Sequence, residues 1–166
     1  MLINQDIERC PLYGAAGSRA INNKQKEYNM DNSKRFWLVP PSIYNNLNSE
    51  FSFDFDPCPY PRPKKFNGIT VPWGRVNWVN PPFRRADAAF GAGPTAFIRK
   101  AIEEQKKGNT SVIIINTMSF INLLIEAGAE VRSMGRVRWL DCRTGEPWTH
   151  PSNTTLFILR GDGHPR

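Results

Sequence analysis

Residues 110–116, TSVIIIN, hold four consecutive apolar side chains, Val112 to Ile115, with no polar alternation. A run this short is too brief for a buried helix and reads as a strand covered on both faces. The flanks agree. Upstream, Phe97, Ile98, Ala101 and Ile102 share one helical face between Thr95 and Lys107, and Gly108 stands at the C-cap position. Downstream, SFINLLIEAGA has Ser119 as N-cap and ends near Gly128. RVNWV (75–79) is a second short strand, EVRSMGRVRWL is extended, DCRTGEPW is a turn or hairpin loop, and NTTLFILR is a final strand. Strand–helix–strand alternation from residue 76 to residue 131 predicts an α/β sheet, largely parallel, with both faces covered.

The chain has 166 residues, which fits one domain with a real core. Residues 1–32 are polar and weakly patterned and read as an N-terminal arm; residues 33–166 form the folded domain. FWLVPPSIYNNLNSE enters a helix near Pro41, with Ile43, Tyr44 and Leu47 on one face. FSFDFD alternates, Phe51, Phe53 and Phe55 against Ser52, Asp54 and Asp56, and reads as a strand that stops at the prolines of PCPYPRP. Trp37, Trp73, Trp78 and Trp139 read as core or rim packing. No apolar run approaches the ~20 residues of a membrane span, and MLINQDIERC lacks a signal-peptide core, so a cytoplasmic protein with no membrane partner is expected. Cys10, Cys58 and Cys142 are far apart and there are two histidines, which speaks against a disulfide framework and a metal site.

The second strand runs straight into a corner, WVNPPF (78–83). Pro81 and Pro82 have fixed φ and no N–H, so the corner offers acceptors without donors of its own. These are the Asn80 side-chain carbonyl and a backbone carbonyl, with the flat ring of Phe83 beside them. The other strand end is acidic, Asp54 and Asp56. If the two strands are parallel neighbours, carboxylate and acceptors line one crevice beyond the carboxyl ends of the strands. A carboxylate there suits ribose hydroxyls or an ammonium group, and the acceptors suit an exocyclic amine on a flat ring. Together they describe methyl transfer from S-adenosylmethionine to a base amine, a reaction in which in-line positioning supplies much of the catalysis. A base inside a duplex must be flipped out, at a few kcal/mol, and stacking on Phe83 returns ~1–3 kcal/mol. The net charge of +7 suits an anionic partner. Six basic residues and no acid lie between Pro57 and Arg85, namely Arg62, Lys64, Lys65, Arg75, Arg84 and Arg85. Of these, Lys64, Lys65, Arg84 and Arg85 are the candidate phosphate contacts.

Trp37 with Pro40, then FSFDFDPC, VNWVNPPF, GRVRW at 135–139 and SNTTLFIL, in that order, resemble the phage-type DNA N6-adenine methyltransferases. The resemblance runs from Phe36 to Leu159. It implies a Rossmann-like methyltransferase sheet, mostly parallel with an antiparallel strand near the C-terminal edge, whole or reduced, with NTTLFILR as the antiparallel strand. It implies that Asn80, Pro81, Pro82 and Phe83 form the catalytic loop, and that Trp37, Pro40, Asp54 and Asp56 serve S-adenosylmethionine. The partner is then DNA, or RNA, the target amine adenine N6, and the location the host cytoplasm if the gene is phage-borne.

The chain departs from the family pattern at several positions. Val39 replaces a threonine, Phe83 a tyrosine, and Asn116 stands where Leu/Val-Pro is usual. Only 24 positions separate Asp56 from Asn80, where the full fold places two strands, and no G-x-G loop is present. An alternative is therefore a catalytically degenerate methyltransferase fold that binds nucleic acid or a partner subunit.

Overall fold

The structure, a computed structural model, describes residues 37–83, 92–116 and 120–162. The N-terminal arm, Arg84, Arg85 and the expected cap Ser119 lie outside them. A two-residue strand, β1 (Trp37–Leu38), leads through Pro40 into α1 (Pro41–Phe51). Pro41 suits the first helical turn, where its missing N–H has no helical partner to lose. Tyr44 and Leu47 turn inward, and the helix ends on Ser52 in the left-handed region (φ 55°). After an irregular proline-rich segment come β2 (Val76–Val79), α2 (Pro94–Gln105), β3 (Thr110–Ile115), α3 (Ile121–Glu126), β4 (Glu130–Val137), β5 (Leu140–Asp141) and β6 (Ser152–Leu159).

The four-stranded sheet has the order β2-β3-β6-β4, and β1 pairs with β5 in a small separate ladder. Side chains alternate between its two covered faces. On one, Tyr44 and Leu47 of α1 join Phe53, Trp78, Val112, Ile114, Leu156 and Ile158. On the other, Phe97, Ile98 and Ala101 of α2 and Leu124 of α3 join Val79, Ile113, Ile115, Phe157 and Leu159. This explains the unbroken apolar runs of β3 and β6: a strand between two helical layers needs apolar residues on both sides.

A mostly parallel Rossmann-like sheet is not what forms. Only the β2–β3 ladder is parallel; β3–β6 and β6–β4 are antiparallel. The cause is the return of the chain after the β5 hairpin, which inserts β6 between β3 and β4 and opposite to both. An apolar run reports burial on two faces, not direction, so β3 and β6 could not be told apart by pattern. The fold is α/β with mixed sheets.

FSFDFD is also not one strand. Phe51 closes α1, and only Phe55 makes a bridge, parallel, to Asn77. The amides of Asp54 and Phe55 both reach the Val76 carbonyl, at 2.9 and 3.3 Å. Two residues opposite one is the arrangement of a bulge, and it reverses which face the following side chains take. Phe53 accordingly packs on the α1 face and Phe55 on the α2 face, although their spacing would put both on one side of a regular strand.

Candidate functional site

The parallel bridge Phe55–Asn77 makes the 53–58 segment and β2 neighbours with a common direction. Asp56 and Asn80 therefore leave the sheet at the same end. Asn80 follows four buried residues of β2, and Pro81 and Pro82 behind it are buried too. Phe83 is half-buried, its ring perpendicular to Trp139 at 4.8 Å between centroids.

The Asn80 amide has a defined orientation. Its Nδ2 donates to the Trp37 carbonyl at 2.8 Å. The flipped amide would set oxygen against oxygen, so Oδ1 must face away from β1. Oδ1 is buried and has no hydrogen-bond partner among the described residues, a condition shared there with Ser111 Oγ. Ser111 sits inside β3, fully enclosed. Asn80 instead stands at the end of its strand, at the start of the NPPF corner. A buried acceptor without a donor costs about 1–3 kcal/mol, so its presence calls for a reason.

The two aspartates have different duties. The Asp54 carboxylate accepts from the amides of Arg75 (Oδ2, 3.1 Å) and Val76 (Oδ1, 3.0 Å), clamping the start of β2. A Cβ on Gly74 would strike the same carboxylate, so glycine there keeps room for the clamp. Asp54→Ala is expected to lower stability by about 1–3 kcal/mol, read as a shifted urea midpoint with an unchanged slope. An unshifted midpoint would contradict the clamp.

Among the described residues, the one hydrogen bond to Asp56 is from the Cys58 amide to Oδ1 at 2.7 Å. Burial pushes its carboxyl up to about 7 against the lowering effect of that bond. Asp56 in turn adds to the burial that raises the Tyr44 hydroxyl and the Cys58 thiol. The three groups thus form a poorly solvated cluster at the carboxyl end of the segment.

Trp37 and Asn80 are brought together through the carbonyl contact, and Pro40 caps α1 two residues beyond Leu38. Val39 is fully buried in the core of the α1 face. Lys64 and Lys65 are exposed in a turn, and no described contact joins them to the Asn80 corner. Arg84 and Arg85 are outside the described residues. Trp73, Trp78 and Trp139 are core residues, as their apolar bulk suggested.

Two residues carry more than sequence reasoning assigned them. Asn77, fully buried, accepts from the Gly74 amide and donates to the Gly74 and Thr110 carbonyls, tying the loop before β2 to β3. Its signal was a lone amide inside an apolar strand. Trp148 stays exposed next to Trp37, and its signal was a large ring inside the polar stretch GEPWTHP. Among the described residues no helix is long and apolar enough to cross a membrane, and no group of histidine, cysteine and acidic side chains could hold a metal ion. No family model matches the chain, and no curated protein matches it.

Proposed function

We propose that the protein transfers a methyl group from S-adenosylmethionine to the N6 amine of adenine in DNA. The observation that carries this reading is the buried Oδ1 of Asn80, without a partner among the described residues and fixed in orientation by the Trp37 carbonyl, at a corner whose two prolines supply no donors. An exocyclic amine brings the donor this corner lacks. Held by Oδ1 and a backbone carbonyl of the corner, its two hydrogens leave the nitrogen lone pair pointing outward, which is what attack on a methyl carbon needs. Phe83 then limits the tilt of the ring. The chain's own part is positioning, and the proton that the methylated, positively charged nitrogen must shed passes to water.

Asp56 fits the cofactor and Asp54 does not. Among the described residues the carboxyl of Asp56 has one donor, which suits ribose hydroxyls or the cofactor's ammonium, whereas Asp54 serves the backbone. When bound, S-adenosylmethionine supplies the methyl group on a sulfonium that departs as a neutral thioether. Trp37 and Pro40, on the segment that holds Asn80, complete the proposed cofactor side.

Incubating DNA with the protein and S-adenosylmethionine bearing an isotopically labelled methyl group, then digesting to nucleosides for mass spectrometry, should yield labelled N6-methyladenine. A second reading has its own support. Val39 is sealed in the core, with no hydroxyl to offer, and Asp54 is committed to β2. Both suit a degenerate fold that binds nucleic acid or a partner subunit without turnover. DNA binding without labelled product, and without heat on calorimetric titration with the cofactor, would favour it.

The basic block makes a separate forecast. With Arg84 and Arg85 on phosphates, DNA affinity should fall with salt at a log–log slope of roughly −0.9 per phosphate neutralised. Changing both to alanine should flatten that slope by up to about two units and weaken all sequences alike. Anisotropy titrations across a salt series check this, and an unchanged slope would remove the pair from the interface.

A further inference from the structure

Trp148 is 42 % exposed, one of three large apolar side chains left open among the described residues with Ile125 and Val131. Those two lie on α3 and β4. Trp148 lies just past the β5 hairpin and is tied to both sides of the Asn80 corner. Its ring meets Trp37 edge-on, with centroids 4.7 Å apart at 74°. Its amide donates to the Trp139 carbonyl at 2.7 Å. Trp37 is the residue whose carbonyl holds the Asn80 amide, and Trp139 the one whose ring stands against Phe83. An indole fixed by backbone and ring, yet left open to water beside an acceptor corner, is a preformed stacking surface rather than a mobile side chain.

The chain's net charge of +7 suits an anionic strand, while in the hairpin itself Asp141 and Glu146 stand against Arg143. The hairpin carries Arg143, which Asp141 grips through two guanidinium contacts (3.3 and 3.1 Å). Asp141 chiefly raises that guanidinium. Lys64 and Lys65 are exposed in the proline-rich segment, which has no acid between Pro57 and Lys65. Arg138, next to Trp139, is exposed and makes no ion pair among the described residues.

We propose that Trp148 stacks the base adjacent to the one held at Asn80, on a single nucleic-acid strand. This rests on the reading of Asn80 as the holder of the target base. Trp148 adds affinity for the strand and no chemistry. The platform takes single-stranded or flipped-out substrate, because a paired base has no free face to offer an indole.

The test is anisotropy with a fluorescein-labelled single-stranded DNA of mixed sequence, on the full chain and on Trp148→Ala and Trp148→Phe. The alanine variant should bind roughly 5- to 150-fold more weakly. Phenylalanine should keep most of the affinity, and the salt slope should stay the same in all three, since stacking neutralises no phosphate. Melting curves show whether the variants keep the fold. Equal affinity in Trp148→Ala and parent overturns the platform, as does a folded Trp148→Phe as weak as alanine. If the parent still labels adenine in either case, the platform falls and the methyltransferase reading stands. A parent that binds no nucleic acid and labels none defeats both.

Discussion

Replacing Asn80 with alanine is expected to cut methyl transfer roughly a thousandfold, the order seen when one preorganised polar group is removed from a reacting centre, with little change in stability. The second half of that expectation makes the experiment decisive. Asn80 contributes one hydrogen bond, Nδ2 to the Trp37 carbonyl at 2.8 Å, worth about 1 kcal/mol. Against it stands the buried Oδ1, without a partner among the described residues, a cost of about 1–3 kcal/mol that alanine removes. The two nearly cancel, so the melting temperature should stay within a few degrees of the parent's or rise. A purely structural asparagine gives the reverse pattern, a loss of stability with no selective loss of turnover. Cofactor affinity, measured by calorimetry, should also be nearly unchanged, because in the proposed reaction Asn80 acts on the amine. Turnover near the parent's would return the NPPF corner to the status of a rigid turn.

How much of this was legible in the sequence depends on whether one cause produced each pattern. Val112–Ile115 were apolar for a single reason, a layer on each face, and the strand is where the run placed it. Phe97, Ile98, Ala101 and Ile102 marked α2 to within a residue or two of Pro94–Gln105. FSFDFD misled because three causes mimicked a period of two. Phe51 ends a helix under the Arg132 and Arg160 guanidinium groups, Phe53 enters one face, and Phe55 enters the other after a bulge. Strand direction was not written in composition: β6 has an apolar run as long as that of β3 and runs against it, and only the family resemblance set NTTLFILR antiparallel. At the candidate site, Asn80 stood out because two prolines after a buried strand leave few other uses for a polar side chain. The difference between Asp54 and Asp56 could not be found, since it depends on which backbone amides 21 and 22 positions away turn toward the carboxylate.

Asp56 carries the second large expectation, a stability that falls as pH rises from 4 to 8. Its carboxyl is pushed up to about 7 in the folded protein, by burial, against an ordinary value of 3.8. A raised acid stabilises the fold fully below the unfolded value, where both states hold the proton. Between 3.8 and about 7 the unfolded chain loses that proton and the native chain keeps it, at about 1.4 kcal/mol per pH unit. Above 7 both are ionised and the loss levels off at up to about 4 kcal/mol. Tyr44 and Cys58, the titratable neighbours, are both pushed upward and stay neutral through this window, so the change belongs to Asp56. Glu104 and Glu130 work in the opposite sense. Burial opposes, but Lys107, Lys100 and Asn109 outweigh it and hold Glu104 low, while Arg160 and Arg132 hold Glu130 low. Their stabilisation is present above the ordinary carboxylate range and fades as pH falls. The clean measurement is therefore a difference. Asp56→Asn, which keeps the shape and an oxygen for the Cys58 amide, should match the parent near pH 4 and exceed it near pH 8, by as much as ~10 °C in melting temperature. A constant gap between the two melting curves across pH would show that Asp56 does not titrate in this window. Under the proposed function the same carboxyl also links stability to cofactor binding. Cofactor hydroxyls bind a carboxylate better than a carboxylic acid, so affinity for S-adenosylmethionine should climb as pH approaches 7, flatten beyond it, and become weak and pH-independent in Asp56→Asn. That outcome would make the instability at Asp56 the complement of an absent ligand, whereas equal affinity in parent and variant would leave it a purely structural strain.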